Sequence, residues 1–116
     1  MTNKTRAEQR REVTEAFRGY AARRKNTTNT EMLDRSVWMS DMAVSHTMLV
    51  LVAMDKGFIV DAIEAVYFPN PTEPLGKNDI ENRIRAFCST HYLASSTVYG
   101  WLAVARKLYL SMTSGS

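Results

Sequence analysis

Apolar positions recur at three- and four-residue intervals along most of the chain. No segment alternates with period two over a convincing length, so the pattern predicts helices and no sheet. Val13, Ala16, Phe17 and Tyr20 form one narrow apolar edge over residues 5 to 25, where Glu8 precedes Arg11 and Glu15 precedes Arg18 at ion-pair spacing. Asn26 to Asn29 is a polar break. From Asp34 to Met54 the chain is apolar nearly all round, with Val37, Trp38, Met39, Met42, Val44, Met48, Leu49, Leu51, Val52 and Met54. This predicts a helix buried on most sides, the spine of the core. Its methionines could form an adaptable partner groove, but core filling is the expected use. Asp55-Lys56-Gly57 ends this helix, with Gly57 suited to a left-handed cap.

Phe58, Ile59, Ala62, Ile63, Val66 and Tyr67 mark a further amphipathic helix, with Asp61 and Glu64 facing away. Pro69, Pro71 and Pro74 forbid its continuation and predict a loop. Asn78 or Asp79 can cap the next helix, which turns Ile80, Ile84 and Phe87 inward and Arg83 and Arg85 outward. A last helix runs from about Ser95 to Met112, followed by a Gly115-containing tail of the kind that frays. The fold class is therefore all-α, five helices.

At 116 residues the chain matches one domain, since domains run to roughly 100–200 residues. Its 45% hydrophobic and 23% charged residues exclude a disordered composition. Within the single helical domain 1-116, we distinguish a basic N-terminal helix or arm (1-30), core helices (31-76) and a C-terminal pair (77-112). The longest apolar run, Met48 to Met54, is far short of the roughly 20 residues a membrane helix needs, and no membrane passage is expected. The charged N-terminus lacks the apolar run of a secretory signal, and the lone Cys88 cannot form an internal disulfide. A cytoplasmic protein is the expectation.

Charge is distributed unevenly. Residues 1 to 30 carry eight Lys/Arg against three Glu, residues 31 to 76 two basic against seven acidic, and residues 77 to 116 five against two. Basic ends flank an acidic middle. Basic segments suit a polyanion because neutralising phosphates releases condensed counterions, although solvation of a helix face explains many such clusters.

The C-terminal pair carries the most specific pattern. A helix-turn-helix needs an apolar then a small residue where its helices cross, an apolar residue in the turn, and two apolar anchors three positions apart in the second helix. Phe87 and Cys88, Leu93, and Val98 with Trp101 meet these needs, and the step from Cys88 to Val98 is ten residues. Ser95 or Ser96 sits where an N-cap oxygen belongs. This leaves Ser95, Ser96, Thr97, Tyr99, Gly100 and Ala103 on the outward face, with Arg106 and Lys107 farther along. Arg83 and Arg85 could hold backbone phosphates, and Gly100 could admit another backbone closely. Tyr92 stands where such turns usually have glycine, and the outward face lacks Arg, Asn or Gln near its start for bidentate base contacts. The same apolar pattern also fits an ordinary helical hairpin, and nothing in the chain reads as a heptad seam for pairing.

The ending SSTVYGWLAVARKLYLSM, reached through IENRIRAFCSTHYL, resembles the C-terminal helix-turn-helix of small phage transcription regulators. These are the late-gene antiterminator Q proteins of one lambdoid subgroup and the related RinA/ArpU-like activators, whose recognition helix is similar to sigma-factor region 4. The resemblance covers roughly the last forty to fifty residues. It implies a phage or prophage DNA-binding transcription regulator that acts on bacterial RNA polymerase during transcription antitermination. It makes Ser95, Ser96, Thr97, Tyr99 and Gly100 the DNA-facing residues. The alternative of another class is a helical protein-interaction module, such as a phage inhibitor of a host complex, that never touches DNA; a third is RNA contact through the basic N-terminal helix.

Enzymatic chemistry has little to build on. Cys88 and His91 have metal-ligand spacing and His46 is the only other histidine, but structural zinc sites usually have four ligands, and Cys88 reads as a small buried residue. A Cys-His nucleophile would lack a third orienting group. The five glycines are dispersed and form no phosphate-cradling loop, and Asp61 and Glu64 read as a solvated face. The expectation is no enzyme, no cofactor and no metal.

Overall fold

A computed structural model describes residues 4–25 and 34–113. It contains five helices, α1 (Arg6–Lys25), α2 (Arg35–Ala53), α3 (Gly57–Tyr67), α4 (Asp79–His91) and α5 (Ser95–Thr113), and no strand among the described residues. The all-α class and the five helices follow the apolar spacing. The predicted break at Asn26–Asn29 and the tail at Gly115 lie outside the described residues.

Each helix end has a local cause. Thr5 starts α1: its Oγ1 accepts from the Glu8 amide at 3.1 Å and donates to the Glu8 carboxylate at 3.2 Å. Thr5 thus caps the helix, satisfying one of the amides that a helix start leaves unpaired, while Glu8 is tied back to the capping hydroxyl. Asp34 caps α2 by accepting from the Ser36 amide. At the other end of α2, Asp55 takes the left-handed conformation (φ 62°), with its amide on the Val52 carbonyl and the Lys56 amide on the Leu51 carbonyl. This Schellman closure was expected to use Gly57. Instead Gly57 is the first residue of α3. Asn78 is also left-handed and makes no side-chain cap, while the Asp79 carboxylate takes the Gly76 amide at 2.6 Å.

The core collects one stripe from every helix. Val13, Phe17, Val44, Leu51, Ile63, Val66, Ile84, Val98 and Leu102 belong to a single buried cluster. Phe17 lies at its centre, its ring tilted against Tyr67 and Tyr109 at 5.7 Å each. Thr47, fully buried on α2, is satisfied by the Ala43 carbonyl at 2.7 Å. Two polar ties join α1 to the remainder. The Arg23 guanidinium grips the Asp41 carboxylate through two contacts of 2.6 Å, and Arg18 reaches the proline-containing loop.

Arg18 departs from the local ion pair that its spacing from Glu15 suggests. It is buried, and it donates to the carbonyls of Pro69 at 3.2 Å, Asn70 at 3.0 Å and Glu73. A planar guanidinium with five donors can serve three carbonyls that converge from one loop, which a carboxylate one turn away could not replace.

The second departure concerns α2. Only Ala43, Val44, Thr47, Met48 and Leu51 are buried on it. Trp38, Met39, Met42, Leu49, Val52 and Met54 are at least half exposed, so α2 is not enclosed on most sides, and only Met48 of its methionines fills the core. An all-round apolar helix needs neighbours all round, and α1, α3 and α5 cover one side. At nineteen residues α2 also has the length and apolarity of a membrane-spanning helix, which the run Met48 to Met54 alone does not suggest.

Candidate nucleic-acid interface

α4 ends in a left-handed turn. Tyr92 adopts the left-handed conformation (φ 57°, ψ 48°) where glycine is usual, and the Leu93 amide returns to the Cys88 carbonyl at 3.0 Å. That closure aims Leu93 back at the helix it leaves. Phe87, Cys88 and Val98 are buried in the common cluster, and Leu93 and Trp101 pack against it half-buried. All five belong to the same core cluster or pack against it. Trp101 also meets Phe58 of α3, the rings 4.8 Å apart. The Cys88 thiol is buried, and His91 points its Nδ1 at the Phe87 carbonyl at 3.0 Å while stacking on the Phe87 ring.

With 100° between successive residues, burial of Val98, Leu102, Ala105 and Tyr109 on one side of α5 places Ser96, Gly100, Ala103 and Lys107 on the other, Tyr99 and Arg106 along one flank, and Ser95 in line with the buried side at the open first turn. Ser95, Ser96, Thr97, Tyr99, Gly100 and Lys107 are exposed; Arg106 is half-buried. The helix begins on the Ala94 carbonyl, which accepts from Thr97 and Val98. Ser95 and Ser96 thus lie inside the first turn and not at the N-cap position expected for one of them. A Cβ built on Gly100 meets nothing within 4 Å, so no part of this chain demands a glycine there.

Arg83 and Arg85 are not brought to this face. Arg83 donates to the Val66 carbonyl at 2.9 Å, satisfying the last turn of α3. Arg85 pairs with Glu81 one turn earlier on α4 at 2.7 Å. Neither lines the groove described next.

That groove runs between α1 and the outward stripe of α5. Arg10 and Thr14 face Tyr99, Gly100, Ala103 and Arg106 across it, with Tyr67 and Ile84 also lining it. It continues between Arg6, Arg10, Arg106 and Lys107. Four cations line the two stretches, and no Asp or Glu does. Among the described residues none of the four is in an ion pair. The Tyr67 hydroxyl registers the same field. Burial pushes its pKa up, while Arg106, Thr14 and Arg10 act in the opposite direction.

Arg6 and Arg10 are the residues that the sequence pattern did not assign to this site. Their signal was the basic excess of the first thirty residues, but its position beside α5 depends on contacts between helices about ninety residues apart. Among the described residues no cluster of three His, Cys, Asp or Glu is placed to hold a metal ion. Comparison with protein-family models, curated proteins and solved structures finds no match for the chain.

Proposed function

We propose that the chain is a DNA-binding transcription regulator in which α4 and α5 act as a helix-turn-helix. The outward stripe of α5 enters the major groove, and Arg6, Arg10, Arg106 and Lys107 hold the phosphates beside it. The observation that carries this reading is the groove itself. The one helix face that the crossing pattern leaves free for base contact is flanked by basic residues from both ends of the chain and by no carboxylate. Phosphate contacts fix register, and groups on the outward stripe read base edges. In this arrangement Tyr99 and the hydroxyls of Ser95, Ser96 and Thr97 supply polar and apolar contacts, and Gly100 lets the helix approach the duplex closely. Arg83 and Arg85 have structural partners and are not assigned phosphates.

The test is binding of a labelled mixed-sequence duplex followed by fluorescence anisotropy. Four phosphate contacts give a slope of about −3.6 in log affinity against log salt, a loss of roughly a hundredfold between about 50 and about 200 mM. Arg10→Gln should weaken all sequences alike and flatten that slope by about 0.9, whereas Tyr99→Ala should change preference among sequences. Absence of binding at the lower salt overturns the proposal.

The finer role, antitermination at a phage late promoter, is supported by the resemblance of Asp79 to Met112 to phage late-gene regulators. Read-through of a terminator by purified bacterial RNA polymerase, with and without the protein, tests it. A second reading, a helical interaction module that does not touch DNA, is favoured by the apolar outer face of α2. Failure to bind duplex at low salt would favour that reading.

A further inference from the structure

The exposed side of α2 is organised. Trp38, Met42, Ser45, Leu49 and Val52 follow one another at intervals of four, three, four and three residues, the spacing at which helices pair along a seam. This seam was not evident in the sequence because the buried residues Ala43, Val44, Thr47, Met48 and Leu51 interleave with it. Met39 flanks it, and Trp38, Met39, Met42, Leu49 and Val52 are each at least half exposed. Between Arg35 and Asp55 the outer stripe bears no Lys, Arg, Asp or Glu; His46 borders it beside Met39 and Met42, and Asp41 on the other border is held by Arg23.

We propose that this face is where a second copy of the chain docks, α2 against α2, about a two-fold axis. Two properties point to self-pairing. About half of five large side chains of roughly 200 Å² each is on the order of 500 Å² per copy, so that pairing two copies covers about 1,000 Å², the size a specific interface has to reach. A face free of charge gives an acidic or basic partner nothing to pair with, but it matches itself, as an isologous contact requires. The polar ties on the inner side of α2, Asp41 to Arg23 and Ser40 to Tyr109 at 3.0 Å, would be broken if the helix left the core for a lipid bilayer. No α2 residue lines the basic groove, so pairing leaves that groove open.

Sedimentation of the full chain from about 1 to about 300 μM tests this. The wild type is expected to reach twice the monomer mass. Leu49→Glu and, independently, Met42→Glu should weaken association at least a hundredfold with far-UV circular dichroism and thermal midpoint of the monomer unchanged, since both positions face solvent. A wild type that stays monomeric at the highest concentration overturns the proposal, as does a dimer that both variants leave intact. Monomeric protein that floats with phosphatidylcholine–phosphatidylglycerol vesicles, and loses this on Leu49→Glu, also overturns it and assigns the face to lipid.

Discussion

Arg18→Met removes a guanidinium and keeps most of the aliphatic stem. In the wild type that guanidinium serves three carbonyls of the loop between α3 and α4, of Pro69, Asn70 and Glu73. A hydrogen bond with a charged partner contributes about 1.5–3 kcal/mol, which as a simple sum would exceed the worth of most single residues. Two effects reduce it. The loop residues Pro69, Asn70 and Glu73 are exposed, so their carbonyls can turn to water once the guanidinium is gone. Burial and, next, the nearby charge of Arg83 push the Arg18 pKa down, which shows that holding the cation there already has a cost. The net loss should be about 2–3 kcal/mol, one charged hydrogen bond's worth and not three. For a chain of this size that is a fall in Tm of roughly 10 °C.

Urea unfolding followed by circular dichroism measures the global term, and hydrogen exchange over the loop locates it. Exchange should quicken from Asn70 to Leu75 more than within α2. Arg18→Lys should cost about as much as Arg18→Met, because a single ammonium cannot span carbonyls that the planar fork reaches together. A Met variant within about 0.5 kcal/mol of wild type, or a Lys variant that restores full stability, would refute the reasoning.

Three further outcomes follow from local geometry. Tyr92→Gly should stabilise the fold by about 1 kcal/mol in urea melts, since Tyr92 is held left-handed at 94% exposure and its side chain has little packing to lose. Gly100→Ala should also stabilise, by about 0.5–1 kcal/mol, because its Cβ meets open space in a helix interior; if α5 approaches DNA as proposed, the same variant should bind duplex less tightly. Tyr67 should make the protein alkali-sensitive. Burial raises its pKa above the ordinary value of 10.0, so between that value and the folded one the native state keeps a proton that the unfolded chain has lost, and stability falls as pH rises. Melting midpoints from pH 8 to 11 should drop more steeply for wild type than for Tyr67→Phe, and equal slopes would contradict the assignment.

The residues differ in how far local pattern reveals them. The start of α5 near Ser95 and the burial of Phe87, Cys88 and Val98 were legible because each rests on spacing within a few turns. Arg18 was misread because a carboxylate three residues away competes, in sequence, with carbonyls fifty residues away that leave no trace in the pattern. α2 was misread for a different reason. Apolar character records that a side chain avoids water, but not what covers it, and three neighbouring helices with one stripe each cannot cover a helix all round. Asp55 took the turn assigned to Gly57 because the helix ended two residues earlier than the glycine implied, and aspartate tolerates the left-handed region. For the candidate site, the outward stripe of α5 was visible, but its basic flank was not. Arg6 and Arg10 belong to a helix whose placement is fixed by Phe17 and the core.

Phe17 bears on how far the C-terminal half can be treated as a cassette. Its ring fills the space between Tyr67 of α3 and Tyr109 of α5, so excising residues 57–113 would open a void of aromatic size at the centre, a defect that typically costs about 3–5 kcal/mol. The C-terminal helices are therefore not a self-sufficient unit. If α5 reads DNA as proposed, chimaeras meant to retarget it should graft surface positions of the last helix onto the intact scaffold instead of moving the helical pair.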